Sequence, residues 1–439
     1  MKGRRVVVTG MGVVAPNAIG LAAFDAALRA GRSGLRHVPK LAELGFGCTV
    51  AGVPEGADAI AEAYFDADML MAMNSNHRYG SIAAVDAWVD AGFARPDPAD
   101  DHVYWEAGAV IGTGVGGLDT VGERLVPMTD AGKVRRLGST IVEQVMGSGV
   151  SARVSGLLAL GNQVTSNSSA CSTGSEAIVD GAKRIRHGLA DRMLCGGSEG
   201  NSHYSWAGFD AMRVLSRRFN DEPERASRPM SASAGGFVPG AGAGVLHLES
   251  LESASKRGAR VYAELVGGAL NCGGHRGGGS MTAPNPESVR RCIRAALADA
   301  GLEPRDVDAI NGHLTATGAD PNEVAAWAEA LDRAPGDLPP ITSTKSMIGH
   351  ALGAAGAIES VACIQMLLGG YVHPSLNCED VHPRIVPFSG SIPHEVRPMP
   401  QLRTIIKASF GFGDVNACVV FRKWTGEPQL DPWAREDRA

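Results

Sequence analysis

Cys171 lies in the run Thr165-Ser-Asn-Ser-Ser-Ala-Cys-Ser-Thr-Gly-Ser-Glu-Ala177. An apolar segment precedes it, small polar residues surround it, and a helix-compatible segment begins just after. A thiol at a helix N-terminus feels the positive end of the macrodipole, which favours thiolate and lowers the pKa. Small neighbours leave room for a substrate. Locally, two readings stay open: a nucleophile, or a buried structural thiol at a tight turn.

Two histidines share a setting of this kind. His313 follows Val307-Asp-Ala-Ile-Asn-Gly312 and precedes Thr315 and Thr317; His350 ends Thr342-Ser-Thr-Lys-Ser-Met-Ile-Gly-His350 and precedes an Ala/Gly-rich run. A lone histidine is more often a satisfied core residue than a catalyst. Here both fall where a strand should give way to a loop, and α/β folds place their sites at strand C-terminal ends. Lys345 precedes His350 in a chain with only eight lysines. The two histidines are not spaced on one helix and no carboxylate cluster accompanies them, which argues against a metal site. Three glycine runs, Gly112–Gly117, Gly235–Gly240 and Phe410–Asp414, lack the Gly-Lys-Ser/Thr ending of a phosphate loop and read as tight turns beside a site.

The elements that must position these residues follow from the pattern. The sequence predicts strands at 5–9, 107–112, 163–166, 192–195, 244–248, 259–266, 308–311, 341–343 and 418–422. It predicts helices at 75–91, 174–187, 286–300, 322–330 and 351–368. Alternation of this kind predicts an α/β layered fold. Ile178, Ala182 and Ile185 recur at helical spacing, as do Ile358, Ala362 and Met366. The runs from Gln163 and from Ile341 share one order: strand, reactive turn, small-residue helix. That order suggests two similar halves, 1–250 and 260–424, with a polar tail over 425–439.

Composition narrows the classes. With 439 residues, 44% hydrophobic and 20% charged, the chain can bury a large core and is not a disordered one. A net charge of −6 argues against nucleic acid as the main partner. Eight scattered cysteines without a CxxC pair read as reduced thiols in a cytoplasmic protein. Lys2, Arg4 and Arg5 before Val6-Val7-Val8 faintly imitate a signal peptide, but Thr9, Gly10 and Gly12 point to a buried strand ending in a glycine turn. The longest membrane-span candidate, 351–368, carries Glu359, so no span is expected.

Taken together the motifs resemble the β-ketoacyl–acyl carrier protein synthases of the thiolase superfamily, in the elongating Cys-His-His branch. The resemblance runs from Val6–Pro16 through Ser169–Gly174, Met281–Pro284, Gly312–Thr317, Ser343–His350 and Leu352–Glu359 to Ser409–Gly413. It implies a thiolase-like duplicated α-β-α-β-α fold, a homodimer or a heterodimer with a related subunit, and acyl carrier protein in acyl and malonyl forms as partner. The implied reaction is a ping-pong decarboxylative Claisen condensation, in fatty acid or specialised polyketide or polyene biosynthesis, without a cofactor. Cys171 matches the acylated nucleophile, His313 and His350 the catalytic histidines, and Lys345 and Glu359 a supporting charged pair. Phe410 matches a gating aromatic whose backbone N–H joins that of Cys171 in an oxyanion hole. Thr315 and Thr317 match pantetheine contacts, Thr282 and Phe412 lie in matched substrate segments, and Val115 matches a position in the acyl tunnel. The resemblance leads one to expect glycine where Leu314 and Asp414 stand, and acidic residues at Ala241 and Ser231. The rival readings are a degradative thiolase, which needs a second cysteine where His350 stands, and a chain-length-setting partner subunit, which lacks the nucleophile. Arg213, Arg217 and Arg218 form a basic cluster that suits an acidic carrier protein, with a solvated loop or a dimer contact as the alternative.

Overall fold

The computed structural model describes residues 3–426; most of the expected polar tail, 427–439, lies outside the described residues. One mixed sheet of eleven strands dominates: β1 (Val6–Ala15), β2 (Ala18–Ile19), β3 (Ala107–Gly112), β4 (Val164–Thr165), β5 (Arg192–Glu199), β6 (Gly242–Ser250), β7 (Ala263–Cys272), β8 (Ala309–Asn311), β9 (Ile341–Thr342), β10 (Thr404–Gly411) and β11 (Val415–Lys423). Their order is β9-β8-β10-β11-β7-β1-β6-β5-β3-β4, with β2 paired only to β1. Leaving out β2 and counting the strands of each half from its first, both halves read 3-2-4-5-1. The pairing senses repeat as well. β3 lies parallel to β4 and β5, as β8 does to β9 and β10, and the other pairs are antiparallel. The halves join where Val6–Val8 of β1 pair with Ala263–Leu265 of β7. The expected duplicated α/β layering is therefore present in the sheet itself.

The helices that matter here are α1 (Ser75–Asp90), α2 (Gly149–Leu158), α3 (Thr173–Arg186), α4 (Pro286–Ala300), α5 (Asp320–Ala330) and α6 (Ala355–Gly369). Ile178, Ala182 and Ile185 of α3 share one buried cluster with Ile358, Ala362 and Met366 of α6. The spaced apolar faces read from sequence thus meet in the middle layer. The segment Leu352–Gly369 is long and apolar enough to cross a membrane, yet 83% of it is buried inside the protein.

Two expectations change. β1 does not end at a glycine turn: it runs through Gly10 and Gly12 to Ala15, with an irregularity between Val8 and Gly10. A Cβ at Gly10 would fall 2.2 Å from the Ala87 carbonyl oxygen, and one at Gly12 1.9 Å from that of Ala83. These glycines let α1 lie directly on the strand backbone. The strand β10, absent from the sequence reading, carries Ile405-Ile406 and ends at the Phe410–Phe412 turn. Its short apolar run, interrupted by Lys407, hides the strand signal.

Candidate active site

The C-terminal ends of equivalent strands converge. β4 leads to Cys171 and β9 to His350; β8 leads to His313, and β10 ends at Phe410-Gly411. Cys171, His313 and His350 offer Sγ and ring nitrogens that all lie within 4.8 Å of one another. Their separation in sequence, which argued against any cluster of metal-ligand type, is erased by the fold. His350 Nε2 is 3.0 Å from Cys171 Sγ, and the two imidazoles stand edge to face at 5.3 Å. All three line one cavity of about 500 Å³, together with Thr282, Thr315, Thr317, Phe410 and Phe412. Val115 does not line it; it sits 40% exposed on the turn after β3.

Small hydroxyl residues build the nucleophile turn. Cys171 sits in a 3₁₀ turn, Ala170–Ser172, that opens onto α3. Thr173 Oγ1 donates to the Ala170 carbonyl at 2.7 Å and accepts from the Ser169 N–H at 2.8 Å. Ser172 Oγ lies 2.9 Å from the Val415 carbonyl and 3.2 Å from that of Ser409, tying the turn to the β10–β11 hairpin. Against expectation, the free thiol is not acidic. Burial pushes Cys171 up to about 11, partly offset by Lys345 and by the Phe412 N–H aimed at the sulfur. That amide also corrects the expected oxyanion partner: the N–H reaching Cys171 is that of Phe412, whereas Phe410 pairs with Asn416 inside the hairpin.

Two buried carboxylates at the start of α5 hold the His313 loop, and neither was singled out in the sequence. Glu323 accepts the N–H groups of His313 (2.6 Å) and Leu314 (2.7 Å); Asp320 accepts those of Thr315 (3.0 Å) and Ala316 (3.1 Å). Leu314 and Ala316 take left-handed φ values of 29° and 64°, so the carboxylates secure a backbone that a Cβ resists. Burial pushes Asp320 up to about 7.

Behind the cavity, Lys345 and Glu359 pair as expected. A second lysine joins them: Lys407 Nζ is 2.8 Å from Glu359 Oε2, and all three side chains are buried. Lys407 was overlooked, although a lysine between Ile406 and Ala408 was a readable signal. Burial holds both His313 and His350 well below the usual imidazole pKa, and the positive charges of Lys345 and Lys407 push the same way. Both rings are neutral at pH 7. The Leu352 N–H lies 3.3 Å from His350 Nδ1. Since that N–H can only donate, Nε2 carries the His350 proton.

Asp414, at φ 61° and fully buried, accepts from the N–H groups of Asn285 (2.7 Å) and His275 (3.1 Å). It fastens the segment carrying Thr282 to the Phe412 turn. Arg217 reaches the Asp210 carbonyl at 2.6 Å, while Arg213 and Arg218 stand exposed beside it.

A duplicated thiolase-like fold with cysteine and two histidines at its joined strand ends defines a class of carbon–carbon bond-forming acyltransferases. Residues 3–254 match the model of the beta-ketoacyl synthase N-terminal domain, and residues 262–379 that of the C-terminal domain. The chain is 35% identical over 436 residues to 3-oxoacyl-[acyl-carrier-protein] synthase 2 of Rhizobium meliloti, spanning 96% of this chain and 100% of that protein. Among solved structures it resembles a beta-ketoacyl synthase from Burkholderia phymatum, with TM-score 0.87 and 31% identity over 96% of this chain and 100% of that one. It also resembles, at TM-score 0.84 and 31% identity over the same shares, a type II PKS acyl-carrier protein in complex with its ketosynthase bound to the hexaketide. The chain belongs to the beta-ketoacyl synthase family.

Proposed function

We propose that this chain is a 3-oxoacyl-[acyl-carrier-protein] synthase that condenses a Cys171-bound acyl group with malonyl carrier protein. The observation that carries the reading is the Cys171–His350 contact of 3.0 Å, with His313 in the same apolar-walled cavity. In the first half-reaction Cys171 Sγ attacks the acyl thioester carbonyl and the carrier thiol departs with the proton. The N–H groups of Cys171 and Phe412 are the proposed donors to the tetrahedral oxyanion. Malonyl carrier then enters past Thr282, Thr315 and Thr317. As CO₂ leaves, negative charge grows on the thioester oxygen, where two neutral imidazoles can each donate a hydrogen bond. The enolate carbon attacks the acyl–Cys171 carbonyl, and the thiolate leaves and regains a proton. Losing one such donor costs about 2.7–4 kcal/mol of barrier. Decarboxylation itself drives the bond formation, so the chemistry requires no cofactor.

The remaining assignments belong to the same reading. Lys345 and Glu359 keep the site's charge in place, and Arg213, Arg217 and Arg218 form the docking face for an acidic carrier protein. The enzyme works in the cytoplasm as a homodimer or beside a related subunit. Cys171→Gln is expected to lose condensation yet still release CO₂ from malonyl carrier, whereas His350→Ala loses both. Acyl label found by mass spectrometry on any other cysteine of the wild type, or normal CO₂ release by His350→Ala, refutes the assignment.

A further inference from the structure

Glu199 closes β5 and is almost completely buried. It takes no part in the steps above, yet it draws two separate segments together. Oε2 accepts from the N–H groups of Gly114 and Gly353, both at 2.9 Å. Oε1 accepts from the Val115 N–H and from Thr113 Oγ1, both at 3.3 Å. A Cβ at either Gly114 or Gly353 would fall 2.8 Å from Oε2, so the two backbones close onto the carboxylate itself. A buried carboxylate is expensive unless hydrogen-bonded, and here the donors are mainly backbone N–H groups. Burial raises its pKa, and the N–H groups of Gly114, Gly353 and Val115 pull it back.

Gly353 follows Leu352, whose φ of 47° is left-handed. A residue with a Cβ keeps that conformation only where its surroundings over-determine it. The Leu352 N–H, at 3.3 Å, donates to His350 Nδ1 and leaves the proton on Nε2, 3.0 Å from Cys171 Sγ. We infer that Glu199 is a positioning residue for His350. Its carboxylate anchors Gly353, Gly353 fixes Leu352, and the Leu352 N–H selects the tautomer whose Nε2–H donates into the cavity. The functional part of this inference rests on the reading of His350 as the hydrogen-bond donor during decarboxylation.

Glu199→Gln tests it. The amide keeps the shape but removes the charge and sets an NH₂ where one oxygen stood, so the N–H groups of Gly114, Gly353 and Val115 can no longer all be accepted and the hold on Gly353 weakens. Three quantities are measured on the full chain: melting temperature, CO₂ release from malonyl carrier, and the ¹⁵N spectrum of the histidine-labelled protein. The His350 signals are assigned by their loss in His350→Ala. A folded Glu199→Gln variant is expected to show slower CO₂ release, by up to about 100-fold as for small misplacements of a reacting group. KM should change little, and His350 should become a mixture of tautomers. A merely structural glutamate would not move the tautomer signal. Wild-type release overturns the proposal, and so does slowed release with an unmixed Nε2–H tautomer. Should Glu199→Gln fail to fold, Glu199→Asp, which keeps the charge on a shorter stem, carries the spectrum: a mixed tautomer supports the proposal and an unmixed one overturns it. If His350→Ala itself releases CO₂ normally, the donor reading fails. The tautomer spectrum then still decides whether Glu199 controls the ring.

Discussion

The turn after β4 and the turn after β9 occupy equivalent places in two halves with one strand order, yet only the second is backed by buried charge. Around Cys171 the partners are neutral: Thr173 Oγ1, Ser172 Oγ and main-chain carbonyls. Around His350 main-chain bonds to Val238 and Gly240 are joined by a buried ionic cluster, with Lys345 and Lys407 converging on Glu359. The difference follows from the chemistry each turn serves. A nucleophile needs space and donors that do not compete for its charge. A histidine that must donate while neutral gains from fixed positive charge nearby, which opposes its protonation.

Removing charge from one side and hydroxyls from the other should therefore cost very different amounts. Glu359→Ala strands two buried lysines and is expected to lose at least about 3–5 kcal/mol, the range for breaking a buried pair. Lys407→Met leaves Lys345 on Glu359 and should cost less, with the His350 pKa moving up toward its ordinary value. Ser172→Ala removes a hydroxyl shared between two carbonyls and should cost about 1 kcal/mol, the usual scale of a neutral hydrogen bond. Denaturant melts of the three variants order these effects. Equal losses in Glu359→Ala and Ser172→Ala would dissolve the distinction between the two turns.

The nucleophile itself sharpens the contrast. Sequence logic, a thiol before a helix, expects an acidic cysteine; burial in the resting site wins and pushes it up to about 11. A raised thiol pKa keeps the protonated form dominant until the pH approaches that value. The alkylation rate of Cys171 by iodoacetamide should then climb about tenfold per pH unit from pH 7 to 9, following the thiolate fraction. A plateau below pH 8 would mean that the helix end, the Phe412 N–H and Lys345 together outweigh desolvation.

These cases show which features were legible. Cys171, His313 and His350 could be read because each is a reactive type among small residues at a strand end. The spaced faces of α3 and α6 could be read because helical periodicity is local. Glu323, Asp320 and Glu199 could not. Their role is to accept backbone N–H groups, from the preceding loop for Asp320 and Glu323 and from distant segments for Glu199, and no residue type or spacing records that. The exchange of Phe410 for Phe412 as the amide beside Cys171 has a similar cause: the two are two residues apart in one motif, and only the hairpin geometry decides which N–H faces the sulfur. Asp414 looked like a departure from the resemblance. In the folded chain it is a buried clasp between the Thr282 segment and the Phe412 turn.

The smallest effect on the isolated chain is expected at Val115, and it bears on the two halves in another way. The turn after β3 is the counterpart of the His313 turn after β8. Its N–H groups at Gly114 and Val115 are held by Glu199, as those of His313 and Leu314 are held by Glu323. One turn delivers a histidine into the cavity, while the other leaves a valine side chain 40% exposed and outside it. Val115→Phe should therefore leave the melting temperature nearly unchanged, since overpacking costs of about 1–3 kcal/mol arise only in filled interiors. If Val115 bounds the acyl tunnel once a second subunit covers this face, the added ring should slow acylation of Cys171 by a ten-carbon carrier thioester and spare a two-carbon one. Equal rates for both lengths would remove Val115 from the tunnel, and a large fall in melting temperature would show that the turn is packed rather than open.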